Sequence, residues 1–243
     1  MVSLWGLTDR GKVRQANQDA CAYKLEEGNY AWAVVCDGMG GAAAGDLASE
    51  TAVSRFRNHM ICLDEPDEHQ EEGELMVQAT EAANRAVYLK SGTNRAYAGM
   101  GTTLVGALLK ESTLWVVNVG DSRAYHITKE TIQRITRDHS VVEELVQCGE
   151  ITPEEARIHP RKNLITRALG TTRQVKVDLF QREVKEGDAI LLCSDGLVNE
   201  VTDQEIQKEV LAGGTPEEIC GRLLDRTLAE GAPDNVTIIL FQL

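Results

Sequence analysis

Long apolar runs are missing from this 243-residue chain. No stretch approaches the ~18 residues that a membrane helix needs, so no span is expected. Met1 to Arg10 has neither the basic start nor the apolar stretch of a secretory leader, and a cytoplasmic protein is expected. Cys21, Cys36, Cys62, Cys148, Cys193 and Cys220 form no CxxC pair, which speaks against a zinc site. Disulfides are not expected in that compartment. Cys36 and Cys193 lie inside apolar runs and read as buried thiols. The histidines, His59, His69, His126, His139 and His159, show no HExxH or paired spacing, so a ligand role is not expected for them. Basic charge is also scarce. Lys and Arg total 25 against 38 Asp and Glu, a formal net charge of −13. That leaves no basic footprint for nucleic acid. Internal repeats, low-complexity tracts and Pro/Gly linkers are absent, so 1–243 reads as a single domain. Hydrophobic residues at 42% are ordinary for a chain with a sizeable buried core.

What is present alternates in blocks. Ser3 to Thr8, Ala20 to Leu25 and Tyr30 to Cys36 read as strands, short and apolar and broken by turn residues. Asp46 to Cys62 and Glu74 to Leu89 carry apolar residues at spacings of three and four, which predicts helices. The polar stretch Asp64 to Glu74 reads as the loop between them. Strands return at Thr103 to Leu109, Leu114 to Val119, Arg123 to Ile127 and Ile132 to Thr136, with Glu111-Ser112 as a tight turn. His139 to Leu169 is more helical and irregular. Strands follow at Val175 to Val184 and Ala189 to Cys193, and Val236 to Phe241 closes the chain. Thr152 to Glu155, Thr202 to Glu205 and Thr215 to Glu218 are capping boxes that open helices; Gly213 and Gly231 sit where helices end. Short turns between neighbouring strands imply antiparallel pairing, hence an α+β layered protein rather than a doubly wound sheet.

Three apolar strands each end on a carboxylate beside glycine: Asp37-Gly38, Gly120-Asp121 and Asp195-Gly196. Asp234-Asn235 stands just before the last strand. A single Asp-Gly pair is ordinarily a turn. Recurrence at strand ends points to carboxylates gathered at one site, where their mutual repulsion calls for a cation. Oxygen ligands without His or Cys suit magnesium or manganese. In this acidic protein, the segment Thr8 to Asp19 carries Arg10, Lys12 and Arg14, and an arginine can clamp a phosphate through two parallel hydrogen bonds.

These pieces together resemble the type 2C Ser/Thr protein phosphatases in their compact bacterial form. The resemblance is carried, in family order, by Arg14-Gln15-Ala16-Asn17-Gln18-Asp19, Asp37-Gly38-Met39-Gly40-Gly41 and Met100-Gly101-Thr102-Thr103. It continues through Val119-Gly120-Asp121-Ser122-Arg123, Ser194-Asp195-Gly196 and Asp234-Asn235-Val236-Thr237. It implies a four-layer α-β-β-α sandwich, two antiparallel sheets flanked by helices, with two Mn²⁺ or Mg²⁺ ions and a third in bacterial members. Asp37 would bridge two ions, Asp195 and Asp234 would complete the first site, and the Gly38 carbonyl would serve the second. Asp19 would orient bound water, Asp121 with Asp195 would hold the third ion, and Arg14 would bind phosphate. Residues from about 141 to 166 would form a flap implicated in substrate choice.

The implied reaction is hydrolysis of phosphoserine and phosphothreonine in proteins by a metal-bridging hydroxide, opposing a bacterial Ser/Thr kinase. Phosphorylated proteins, including that kinase and its substrates, are the expected partners, and a monomer is expected. The absence of a Cys-x5-Arg pattern fits this chemistry rather than a cysteine-based phosphatase. Two positions depart from the family. Gln18 stands where Glu is common, and Ala42 where bacterial members usually carry His. Two other readings stay open: a regulator dedicated to one small phosphoprotein, and a catalytically silent scaffold. His139 reads as a loop-fixing group, and the Thr102 and Thr103 hydroxyls as partners of nearby backbone.

Overall fold

The computed structural model describes residues 2–26, 30–40, 44–61 and 71–243. Two antiparallel sheets form its centre. One is ordered β1(Ser3–Asp9), β11(Val236–Gln242), β10(Ala189–Cys193), β7(Arg123–Ile127), β8(Ile132–Arg134). The other is ordered β2(Asp19–Glu26), β3(Tyr30–Met39), β5(Leu104–Lys110), β6(Thr113–Val119), β9(Asp178–Glu183), with the short β4(Gly101–Thr102) paired to the end of β3. Helices α1(Gly45–Ile61) and α2(Glu72–Ser91) lie on the second sheet, and α5(Asp195–Val198), α6(Asp203–Leu211) and α7(Pro216–Glu230) on the first. The remaining helices are α3(Val141–Gln147) and α4(Pro153–Ile158).

The four-layer arrangement follows from apolar residues on both faces of the central strands, which a two-residue period divides between layers. On β3, Trp32, Val34 and Cys36 face α1 and α2, while Ala31, Ala33 and Val35 face the opposite sheet. On β11, Ile238 and Leu240 face α5 and α7, and Ile239 and Phe241 face the other sheet. Phe56 of α1 packs on Trp32 with ring centroids 6.3 Å apart. All three predicted capping boxes are present, at Thr152, Thr202 and Thr215. Glu111 takes a left-handed φ of 56° in the β5–β6 turn, as a two-residue hairpin requires at its first turn residue.

Most boundaries shift by one or two residues, and two strand boundaries differ from expectation by three. The last edge strand starts at Asp178 rather than Val175. Residues before it are tied to α2 instead, where Asn84 donates to the carbonyls of Thr172 and Arg173. β3 runs on to Met39, because β4 gives Gly38 and Met39 a pairing partner. Cys36 and Cys193 are buried thiols. Cys62, His69, Ala42 and most of the polar 64–74 stretch lie outside the described residues.

Candidate metal centre

One row of residues across each sheet builds the site. In β2–β3 the register sets Asp19 opposite Asp37. Continued across β5 and β6 it brings Thr103 and Gly120 into the same row. In the other sheet Thr8 pairs with Thr237, and the register of β10 continues that row through Ser194 and Ser122. Elsewhere the sheets meet through apolar side chains; at this end they meet through oxygen. Asp19 Oδ2 accepts from Ser194 Oγ and Thr237 Oγ1, each at 2.7 Å. Thr103 Oγ1 and Ser122 Oγ are 2.7 Å apart.

The Asp37 peptide is clasped from three directions. Its N–H donates to Thr103 Oγ1 at 2.9 Å. Its carbonyl accepts the Thr103 N–H at 2.9 Å and the Thr102 hydroxyl at 2.8 Å. Both threonines thus bind nearby backbone, as expected, and the backbone they bind is that of a site carboxylate. Gly38 lies in the strand rather than in a turn. A side chain there would overlap the Gly45 carbonyl at the start of α1, so glycine is needed for close packing. Gly196 is glycine for the same reason, since a Cβ would strike the Asn235 carbonyl. Gly120, by contrast, has a φ of +113°, a conformation that glycine adopts without the steric cost other residues meet.

Asp195 opens α5 directly after β10. Its Oδ2 accepts from Asn199 at 3.0 Å, and its Oδ1 is buried without a partner. Asp19 Oδ1 is likewise buried and unpartnered. Asp234 accepts from Arg14 Nη2 at 2.7 Å through Oδ2 and from the Asn235 N–H at 2.9 Å through Oδ1. Asn235 gave no signal of its own in the sequence, yet it anchors the whole N-terminal loop. It accepts from the Gln18 N–H and donates to the carbonyls of Arg10 and Ala16. Ser194 and Thr237 stood in the sequence only as members of the family motifs, and Asn199 was not singled out. Asp19 and Asp195 themselves were the available clue, because a buried carboxylate needs donors.

A cleft of about 730 Å³ brings Arg14, Asp37, Gly38, Asp121, Asp195 and Asp234 to one mouth. Asp19, opposite Asp37 in the β2–β3 register, does not line it. A second cleft of about 610 Å³ shares Asp121 and Asp195 as its floor and runs under α3 and α4, past Arg157 and Lys162. Burial pushes Asp19 up to about 7, opposed by the Thr237 and Ser194 hydroxyls and reinforced by Asp195 and Asp234. Burial, and then the charges of Asp19 and Asp195, hold Asp37 well above the carboxylate range. Burial and Asp195 do the same to Asp121, and burial and Asp234 raise Asp195.

Crowded, desolvated carboxylates with two orphaned oxygens form a donor set short of positive charge, which fits hard divalent cations. Among the described residues no three His, Cys, Asp or Glu side chains are gathered as a ready-made cage. Magnesium-like ions keep several waters and take one or two carboxylates each, so a spread set of this kind still fits them.

Comparison with known proteins identifies the family. Residues 9–221 match the protein phosphatase 2C family. The chain belongs to that family. It is an enzyme of the phosphatase class. The phosphatase is 38% identical over 240 residues to the serine/threonine phosphatase stp of Listeria monocytogenes serotype 4b, covering 97% of this chain and 93% of that one. The crystal structure of the serine/threonine phosphatase Stp1 from Staphylococcus aureus superposes with a TM-score of 0.93 at 39% identity, covering 100% of this chain and 95% of that one. The catalytic domain of the serine/threonine protein phosphatase PstP, solved with two manganese ions, superposes at 0.85 with 34% identity, covering 99% and 97%.

Proposed function

We propose that this phosphatase hydrolyses phosphoserine and phosphothreonine in proteins with two divalent ions, manganese or magnesium, and a third beside them. The carrying observation is four carboxylates raised in pKa, Asp19 buried and Asp37, Asp121 and Asp195 partly exposed at a mouth shared with Arg14 and Asp234. Asp37 and the Gly38 carbonyl would hold two ions between them, with Asp195 and Asp234 completing the first site and Asp121 with Asp195 the third. Ions bound there would supply a water acidic enough to deprotonate near neutral pH and positive charge for the phosphoryl oxygens.

The chain's own groups supply the rest. Thr102 and Thr103 fix the Asp37 peptide, so its carboxylate has one direction. Ser194 and Thr237 hold Asp19 by Oδ2, while its buried Oδ1 has no hydrogen-bond partner and would be the oxygen left to orient a metal-bound water. Arg14, half exposed at the rim and hydrogen-bonded to Asp234, is placed to turn its remaining donors onto a phosphoryl group. The second cleft would take the polypeptide that carries the phosphate, with residues 141–166 as its flap.

The same reading makes the protein a cytoplasmic, monomeric opponent of a bacterial Ser/Thr kinase. It draws support from relatives named as bacterial serine/threonine phosphatases. No described helix is long and apolar enough to cross a membrane. The deciding experiment is phosphate release from a phosphothreonine peptide with Mn²⁺. Activity that is lost with EDTA and with Asp195→Ala supports the reading. Folded protein that binds Mn²⁺ yet releases no phosphate from any of several phosphopeptides overturns it in favour of a phosphoprotein-binding scaffold.

A further inference from the structure

His139 is buried, 6% exposed, in the loop between β8 and α3. Its Nδ1 accepts the Gly120 N–H at 3.0 Å. That nitrogen therefore carries no proton, and Nε2 must carry it. Nε2 faces Asp178 Oδ2 at 3.1 Å and donates to it. Asp178 in turn is held by Arg167 Nη1 at 2.7 Å through its other oxygen. The tautomer and ring plane are thus set from both sides.

The backbone of the same residue has a second set of bonds. The His139 N–H donates to the Gly120 carbonyl at 2.9 Å, and the His139 carbonyl accepts the Thr166 N–H at 2.7 Å. Next to it, Ser140 bridges to Ile165, and the Val141 N–H donates to the Leu164 carbonyl. One residue therefore holds the turn carrying Asp121 and closes the base of the segment 141–166. Gly120 itself has little freedom, since a Cβ there would meet the Thr103 side chain at 2.6 Å. Thr103 in turn accepts the Asp37 N–H, so this turn, Thr103 and the Asp37 backbone are in continuous contact.

We propose that His139 is a positioning residue: its neutral imidazole fixes the Gly120–Asp121 turn, and its backbone locks that turn to both ends of the flap, so that flap and Asp121 carboxylate keep one relative geometry. The proposal rests on the reading of Asp121 as a ligand of the third ion. Residues that orient metal ligands from behind typically change metal affinity by about 10- to 100-fold when removed.

The test uses the full chain with three substitutions, His139→Ala, His139→Asn and Asp178→Ala, and two measurements. One is calorimetric titration with Mn²⁺ alone; the other is hydrogen exchange at the amides of Gly120, Val141 and Thr166. His139→Ala is expected to weaken one Mn²⁺ site, the one lost in Asp121→Asn, about 10- to 100-fold, leave the other ions in place, and speed exchange at all three amides. His139→Asn puts Oδ1 near the position of Nδ1, so the Gly120 N–H keeps an acceptor. It is expected to recover most of the Mn²⁺ affinity, which a role in packing alone would not do. Asp178→Ala removes the hold on Nε2 and is expected to move both readouts in the direction of His139→Ala. It carries the test if His139→Ala does not fold. The proposal is overturned if His139→Ala or Asp178→Ala lowers only the melting temperature, or if His139→Asn is no better than His139→Ala. Asp121→Asn separates the two layers of the argument. If it leaves every Mn²⁺ site unchanged, the reading of Asp121 fails, and the exchange data alone decide whether His139 clamps the flap.

Discussion

Asp19 shows how much a single side chain at this site depends on its surroundings. Its ordinary value of 3.8 rises to about 7, with burial as the main cause. A carboxylate raised in the folded state favours folding while it stays protonated. That contribution is complete below the unfolded value and is lost as pH climbs through the folded one. In metal-free protein, Asp19→Asn should therefore gain stability relative to wild type as pH rises from about 4 to about 7, by a few kcal/mol on the scale of ~1.4 kcal/mol per unit. Thermal melts of the two proteins across that range check this; parallel curves would sink it. Arg14 argues differently, because it is half exposed and its partner Asp234 is itself a site residue. Its guanidinium offers donors that a lysine cannot arrange in parallel. Arg14→Ala should lower kcat/KM on a phosphopeptide by roughly 10- to 100-fold, the loss of one charge-assisted contact of ~1.5–3 kcal/mol. Arg14→Lys should recover only part of it. An Arg14→Ala enzyme with unchanged kcat/KM would remove the residue from the site.

Elements reach the site through a few polar anchors. The N-terminal loop between β1 and β2 is tied to the start of β11 by three hydrogen bonds of the Asn235 side chain. Asn235→Ala leaves those backbone groups without their partner at about 1 kcal/mol each, so a loss of ~2–3 kcal/mol is expected in denaturant unfolding, together with weaker Mn²⁺ binding. Loss of stability without any change in Mn²⁺ binding would mean that the loop does not position the site. The helices were the most legible part of the sequence. A capping box is a local pattern in which Thr and Glu three residues apart satisfy each other's backbone N–H, and nothing distant can undo it. The strand ends were less so. β3 continues past Cys36 because β4, over sixty residues later in sequence, supplies its partner. Likewise α5 was not expected, since the bond that opens it, from the Leu197 N–H to the Ser194 carbonyl, carries no distinctive residue pattern.

The whole molecule carries a net charge of −13 and gathers part of that charge at one end of its core. Ions binding only the folded state stabilise it by mass action, about 2.7 kcal/mol per site at a hundredfold excess over Kd. Mn²⁺ should therefore raise the melting temperature of wild type, EDTA should reverse the rise, and Asp195→Ala should show little of it. An equal rise in Asp195→Ala would place the bound ions elsewhere. By itself the sequence determined an α+β protein with antiparallel strands, because the short turns between neighbouring apolar segments leave no room for a crossover connection; the four layers were implied by the family resemblance. It also showed which carboxylates stand at strand ends. Tertiary structure alone decided that they meet. The hydrogen bonds of Asp19 reach Ser194 and Thr237, 175 and 218 residues away, and only the register of two packed sheets brings those oxygens together. Local propensity acts over a few residues, whereas that register is set by closing the chain around a common core.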